Sequence, residues 1–163
     1  MGVEVVVLPV ADTEALYSAI TEADLLAGAK VVCGGLGLAS AEVVRFPEGT
    51  LPVYAVGANQ VLKLYPQYCR PNSDVEERAL RTVEGRLSIH TPRIEAVGEV
   101  DGWGYLLMDR VPGVSLAEAW PHVPSAARRG LVEQLGIALA ELHALAPPIL
   151  PPAHWETFIA QQR

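Results

Sequence analysis

Lys63 sits in "VYAVGANQVLKLYP" (53–66), between Leu62 and Leu64, in a run that reads as a strand. Successive strand side chains alternate between faces, so Lys63 points away from both leucines. A strand lysine by itself is ordinarily an exposed charge. It acquires chemistry when a glycine-bearing turn precedes it, a glutamate follows on the next helix, and a linker closes the sheet. That arrangement holds an ammonium beside a nucleotide phosphate with a carboxylate to orient it. All three features occur in order: "FPEGTLP", Glu76 and "LLMDRVPG". Each alone says little; in this order they are specific.

The elements around them read as follows. "ADTEALYSAITEADLLAGA" is helical, with Asp12 or Thr13 as cap and Ala15, Leu16, Ala19 and Ile20 on one face. Thr21 and Asp24 resemble a second capping box, which divides it into two short helices. "KVVCGGLGLASAEVVRF" turns strand-like around a glycine cluster. "VYAVG", "ANQ" and "VLKLYP" form a hairpin. "PNSDVEERALRTVEGRL" is a helix capped by Asn72 or Ser73, with Val75, Ala79, Leu80, Val83 and Leu87 at helical spacing and a stop at Gly85. "HTPRIEAVGEVDGWGYLLMDRV" supplies two more strands around a tight turn. Five strands, mostly in hairpins, with one central helix make an α+β fold with an antiparallel sheet. Beyond Pro112-Gly113 the chain is helical. Ser115 and Glu118 make a capping box, and a longer helix from Ser125 to before Pro147 carries the stripe Leu131, Leu135, Leu139, Leu142 and Leu145.

Composition excludes several classes. The chain has 163 residues, half of them hydrophobic, and a net charge of -7. That charge, with no Lys/Arg run, argues against nucleic-acid and anionic-membrane partners. Nothing approaches the ~20 apolar residues of a membrane span. The N-terminus "MGVEVVVLPVADTE" has no basic segment and is not a secretion signal. Cys33 and Cys69 form no metal-spaced pair and read as reduced thiols of a cytoplasmic protein. His90, His122 and His154 lie near prolines in loops, and His143 reads as a helix-packing residue. No metal site is expected. "GGLGLAS" lacks the third glycine of a dinucleotide fingerprint, and no Walker sequence occurs.

The ordered set resembles the N-terminal lobe of the aminoglycoside phosphotransferase and choline kinase superfamily, relatives of the protein kinases. Within it, the sequence most resembles the hygromycin phosphotransferase-like branch. The resemblance runs from about Val43 to His143 and rests on "VLKLYP", "DVEERALRTVEGRL", "TPRIEAVGEVDGWGYLLMDRVPGVSL" and "LGIALAELHAL". "HWETFIAQQR" also looks like a helix of these relatives. The resemblance implies ATP as cofactor. Lys63 then matches the lysine on the ATP α/β-phosphates, and Glu76 the glutamate that orients it. Glu77 is the alternative; Glu76 is preferred because it lies one turn before Leu80, on the edge of the buried face, and eight residues before "EGRL". Gly49 permits close backbone approach to the nucleotide, and Thr50 can donate to phosphate. Met108 matches the back of the adenine pocket, and the Asp109 carbonyl and Val111 N–H match the groups that bond adenine.

The resemblance also implies a division: an N-terminal helical segment (1–30), an ATP-binding lobe (31–110), and the hinge exit with the first helices of a second lobe (111–163). Relatives carry a catalytic loop, H-G-D-x-x-x-x-N, and then a metal-binding aspartate. Asp109 is the last aspartate in this sequence. The expectation is therefore a truncated kinase, inactive alone, whose complete form uses Mg²⁺ and phosphorylates a hydroxyl of an aminoglycoside-like or aminoalcohol acceptor. The alternative is a non-catalytic nucleotide- or protein-binding module that forms a homodimer through the 115–163 helices.

Overall fold

Two threonines start the first two helices. The computed structural model describes residues 8–145. Helix α1, Glu14–Ala19, begins where the Leu16 N–H donates to Thr13 Oγ1 at 3.3 Å. Helix α2, Glu22–Gly35, begins where the Asp24 N–H donates to Thr21 Oγ1 at 3.2 Å, and the Thr21 hydroxyl donates back to Asp24 at 2.6 Å. The expected pair of short helices is present. The face expected for α1 is not buried: no α1 residue is buried, and Tyr17 and Ile20 make its core contacts.

Residues 30–35 correct the strand-like reading, because they are the last turns of α2. Their β-branched residues favour strands only weakly. Burial at helical spacing outweighs that preference: Leu25, Gly28, Ala29, Val32 and Cys33 all fall on the packed side.

The five expected strands form one antiparallel sheet: β1 (Val43–Arg45), β2 (Val53–Val56), β3 (Gln60–Tyr65), β4 (Ile94–Val100) and β5 (Trp103–Asp109). Their spatial order is β1-β2-β3-β5-β4. Asp101 and Gly102 turn the β4–β5 hairpin with φ of 50° and 78°, the type I′ pattern that matches strand twist.

Strand alternation then sorts the side chains. Leu62 and Leu64 point to one face, where they meet Tyr54, Val56, Trp103 and Leu107 and the buried face of α2. Tyr65, Leu106 and Met108 cluster on the other, with Leu51, Val61 and Leu80 against them. The first face is sealed by a strap at residues 8–11. The Leu8 N–H donates to Asp101 Oδ2 (2.9 Å), the Ala11 N–H to Gln67 Oε1 (2.8 Å), and Trp103 Nε1 to the Pro9 carbonyl (2.8 Å).

Helix α3, Pro71–Val83, supplies Leu80 to the second face and ends before Gly85, as expected. Its start corrects the expected cap. Pro71 is the first helical residue, where its missing N–H costs nothing. Asn72 and Ser73 therefore lie inside the helix. Ser73 is buried and its hydroxyl donates to the Arg70 carbonyl at 2.7 Å. Gly104 on β5 makes room for it: a Cβ there would come within 2.7 Å of Ser73 Oγ.

Downstream lie α4 (Leu116–Ala119) and α5 (Ser125–Ala144). The Ser115 hydroxyl makes no capping bond, so the expected box does not form. A single helical turn gains too little to hold the serine in one rotamer. Of α5 only Ala138 is buried. The "HWETF" helix lies outside the described residues. Among the described residues no helix is long and apolar enough to cross a membrane.

One group on the first face makes folding pH-dependent. Tyr54 is fully buried, and its hydroxyl donates to Glu22 Oε1 at 3.3 Å while Arg45 donates to it at 3.4 Å. Burial pushes the phenol up to about 12; Arg45 offsets part of this and Glu22 adds to it. The folded state therefore keeps a proton that the unfolded chain loses near pH 10. The Tyr54 contribution to stability is complete below that pH and is lost as pH rises toward about 12, by roughly 2–3 kcal/mol. Denaturant midpoints across this window are expected to fall more steeply in the native chain than in Tyr54→Phe. Equal slopes would refute the assignment.

Candidate nucleotide site

Lys63 occupies the middle of the sheet, with Val53 of β2 on one side and Leu106 of β5 on the other. Alternation places it on the α3 face, between Val61 and Tyr65. There its Nζ lies 2.6 Å from Glu76 Oε2 and 5.3 Å from the centre of the Tyr65 ring. The side chains are partly exposed, 23% for Lys63 and 33% for Glu76. That exposure leaves the ammonium accessible to an anion while the sheet restricts its motion.

The structure separates the two candidate glutamates. Glu77 pairs instead with Arg81, one turn along α3, at 2.9 Å. Glu76 precedes Leu80 by one turn, and Leu80 packs against the Tyr65–Leu106–Met108 cluster. The buried Ser73 and Val83, with Leu80, set the rotation of α3 and bring Glu76 to the sheet.

Gly49 and Thr50 lie on the loop between β1 and β2. Gly49 has φ 100°, a conformation that favours glycine, and its α-carbon faces open space. The Thr50 carbonyl accepts a bond from the Tyr17 hydroxyl at 2.8 Å, which ties the loop to α1. No hydrogen bond among the described residues joins this loop to Lys63 or Glu76. Leu51 of this loop packs on the same cluster as Tyr65.

Met108 is buried at the far end of β5 on the Lys63 face. Asp109 follows, held by its N–H to the Arg93 carbonyl at 3.0 Å and by the Arg93 N–H to its carboxylate. Arg110 donates its N–H to the Asn59 carbonyl at 2.7 Å. Val111 is exposed, and its N–H has no hydrogen-bond partner among the described residues. A cleft of about 690 Å³ opens behind this segment, between Glu84, Leu87, His90, Arg93 and Asp109; it does not include Lys63.

Among the described residues no three His, Cys, Asp or Glu side chains come together to hold a metal. Glu76 is committed to Lys63 and Asp109 to Arg93. These residues do not fit a magnesium site of their own.

Sequence reasoning missed Tyr65. It stands two residues beyond Lys63 on the same face, 1% exposed, and its hydroxyl has no hydrogen-bond partner among the described residues. Period-two spacing from Lys63 was the available signal.

A five-stranded antiparallel sheet, a strand lysine paired to a helix glutamate, and an exit through Pro112-Gly113 define a kinase-like N-terminal lobe. The model of the phosphotransferase enzyme family matches residues 42–163, and the chain belongs to that family. Among solved structures, the GDP complex of a point mutant of aminoglycoside 2'-phosphotransferase-IIIa is similar in fold, with a TM-score of 0.68 and 19% identity. The match covers 82% of this chain and 47% of that one, so this chain spans about half the length of that structure. No curated protein sequence matches significantly.

Proposed function

We propose that this chain is the ATP-binding part of a cytoplasmic small-molecule kinase. The observation that carries the reading is the 2.6 Å Lys63–Glu76 pair on the α3 face of the sheet. An ammonium held there is a compact charge for the α- and β-phosphates. Gly49 and Thr50 would cover the phosphates, Met108 would back the adenine, and the Asp109 carbonyl and Val111 N–H would bond its edge. The similar structure is a GDP complex, which supports a nucleotide as the ligand of this fold. Mg²⁺ would arrive with ATP and belong to the complete enzyme. Residues 31–110 would form this lobe, 1–30 its N-terminal helical segment, and 111–163 the start of a second lobe.

The reaction would move the ATP γ-phosphoryl group to a hydroxyl of an aminoglycoside-like or aminoalcohol acceptor. With no aspartate after Asp109, a polypeptide of these 163 residues would bind ATP without transferring it. Calorimetric titration with Mg·ATP is the test: saturable heat without product formation is expected, and absence of binding would overturn the reading.

A second reading, self-association through the C-terminal helices, rests on a separate observation. Leu135 and Leu139 of α5 are 52% and 46% exposed, and Val132 and Ile137 are exposed beside them. Burying each such side chain would contribute roughly 1.5–3 kcal/mol. Glu141 of α5 accepts from the Ser88 N–H at 2.6 Å. A polypeptide of these 163 residues is expected to scatter light as a dimer at micromolar concentration, and Leu135→Glu with Leu139→Glu to restore the monomer. A monomer mass for the unmodified chain would remove this reading.

A further inference from the structure

The Lys63–Glu76 pair has a third member that the nucleotide reading does not use. Tyr65 lies under it. The aromatic ring faces the Lys63 ammonium at 5.3 Å, within cation–π range. The hydroxyl is buried and makes no hydrogen bond among the described residues. A buried, unpaired hydroxyl is costly, and phenylalanine would fill the same space without that cost. We propose that Tyr65 is a positioning residue for the nucleotide site: its hydroxyl donates to the Glu76 carboxylate when ATP phosphates draw the Lys63 ammonium toward themselves.

The physical reason is a shared cation. Lys63 Nζ sits 2.6 Å from Glu76 Oε2 and neutralises it. A phosphate that takes up part of the ammonium leaves Glu76 under-compensated at a partly buried position. A neutral donor beside the carboxylate makes up the loss, and Tyr65 has one unused. Burial, followed by the nearby Glu76 carboxylate, pushes its phenol well above the ordinary value, so the proton stays on oxygen and available to donate. The ring meanwhile limits how far the ammonium can swing. Both actions keep Glu76 against the sheet as the ammonium engages the phosphates.

This proposal rests on the nucleotide reading of Lys63, and the experiment separates the two. The affinity of the full chain for TNP-ATP would be measured by fluorescence for the unmodified protein, Lys63→Ala, Tyr65→Phe, Glu76→Gln and the double variant Tyr65→Phe/Glu76→Gln, each with its melting temperature. The expected result is a loss of about fivefold in Tyr65→Phe, equivalent to one ordinary hydrogen bond, with a melting temperature unchanged or raised. In the Glu76→Gln background the same substitution is expected to cost much less, because the carboxylate it serves is gone. Unmodified affinity in Tyr65→Phe, with Lys63→Ala weakened, would overturn the role of Tyr65 and leave the nucleotide site standing. An equal loss in both backgrounds would also overturn it, since Tyr65 would then act independently of Glu76. Failure of Lys63→Ala to weaken binding would overturn both proposals.

Discussion

Lys63→Ala is expected to lower ATP affinity by roughly 10- to 100-fold while leaving the fold intact. A charge-assisted bond of an ammonium to phosphate oxygens contributes about 1.5–3 kcal/mol, and each 1.4 kcal/mol is tenfold. The substitution also leaves Glu76 without its cation, so a carboxylate would face the incoming phosphates. Folding should barely respond, because the pair is partly exposed and such pairs contribute about 1 kcal/mol or less. Glu76→Gln should weaken binding less, since the ammonium remains but loses its partner. Glu77→Gln should change nothing, because that carboxylate pairs with Arg81. Calorimetry with Mg·ATP on the three variants distinguishes these outcomes. Equal affinity for Lys63→Ala and the unmodified chain would end the nucleotide assignment.

The largest effect on folding is expected at Trp103. Its side chain is fully buried on the α2 face, its Nε1 donates to the Pro9 carbonyl at 2.8 Å, and its ring meets Tyr17 edge-on at 6.2 Å. It thereby joins β5, the strap at residues 8–11 and α1. Truncation to alanine would open a cavity and leave the Pro9 carbonyl without its donor, at a cost of about 3–5 kcal/mol. That is a large share of the ~5–15 kcal/mol typical of a whole domain. The melting temperature should fall by roughly 10–20 °C. Trp120→Ala is the control. Trp120 is half-buried between α4 and α5, where it packs against Arg128, and should cost far less. Thermal melts followed by circular dichroism give the answer; similar melting points for both variants would contradict the role assigned to Trp103.

Local signals in the sequence were enough for the strands and for most helix ends. Thr13 and Thr21 are caps whose chemistry acts within three residues, and the Asp101-Gly102 turn needs only its own dihedral angles. Lys63 was legible because a glycine turn before it, a glutamate helix after it and a closing linker stand in order along the chain. The Ser73 cap was misread for a different reason. Pro71 can begin a helix unaided, and Ser73 is buried because Gly104, 31 positions further along the chain, leaves space for it.

The sequence by itself determined that a glycine turn, a lysine strand, a glutamate helix and a hinge follow in kinase-like order, because each depends on short-range spacing. Tertiary structure decided which glutamate meets Lys63, since that depends on the rotation of α3, which the packing of Ser73, Leu80 and Val83 sets. It decided that residues 30–35 are helix, because burial of Val32 and Cys33 against the sheet outweighs their β preference. It decided that the α2 face of the sheet is sealed, through bonds from residues 8–11 to partners more than fifty positions away. It also placed Tyr65 beside the ion pair with an unused hydroxyl. Whether a buried polar group finds a partner depends on everything packed around it, and no local pattern carries that information.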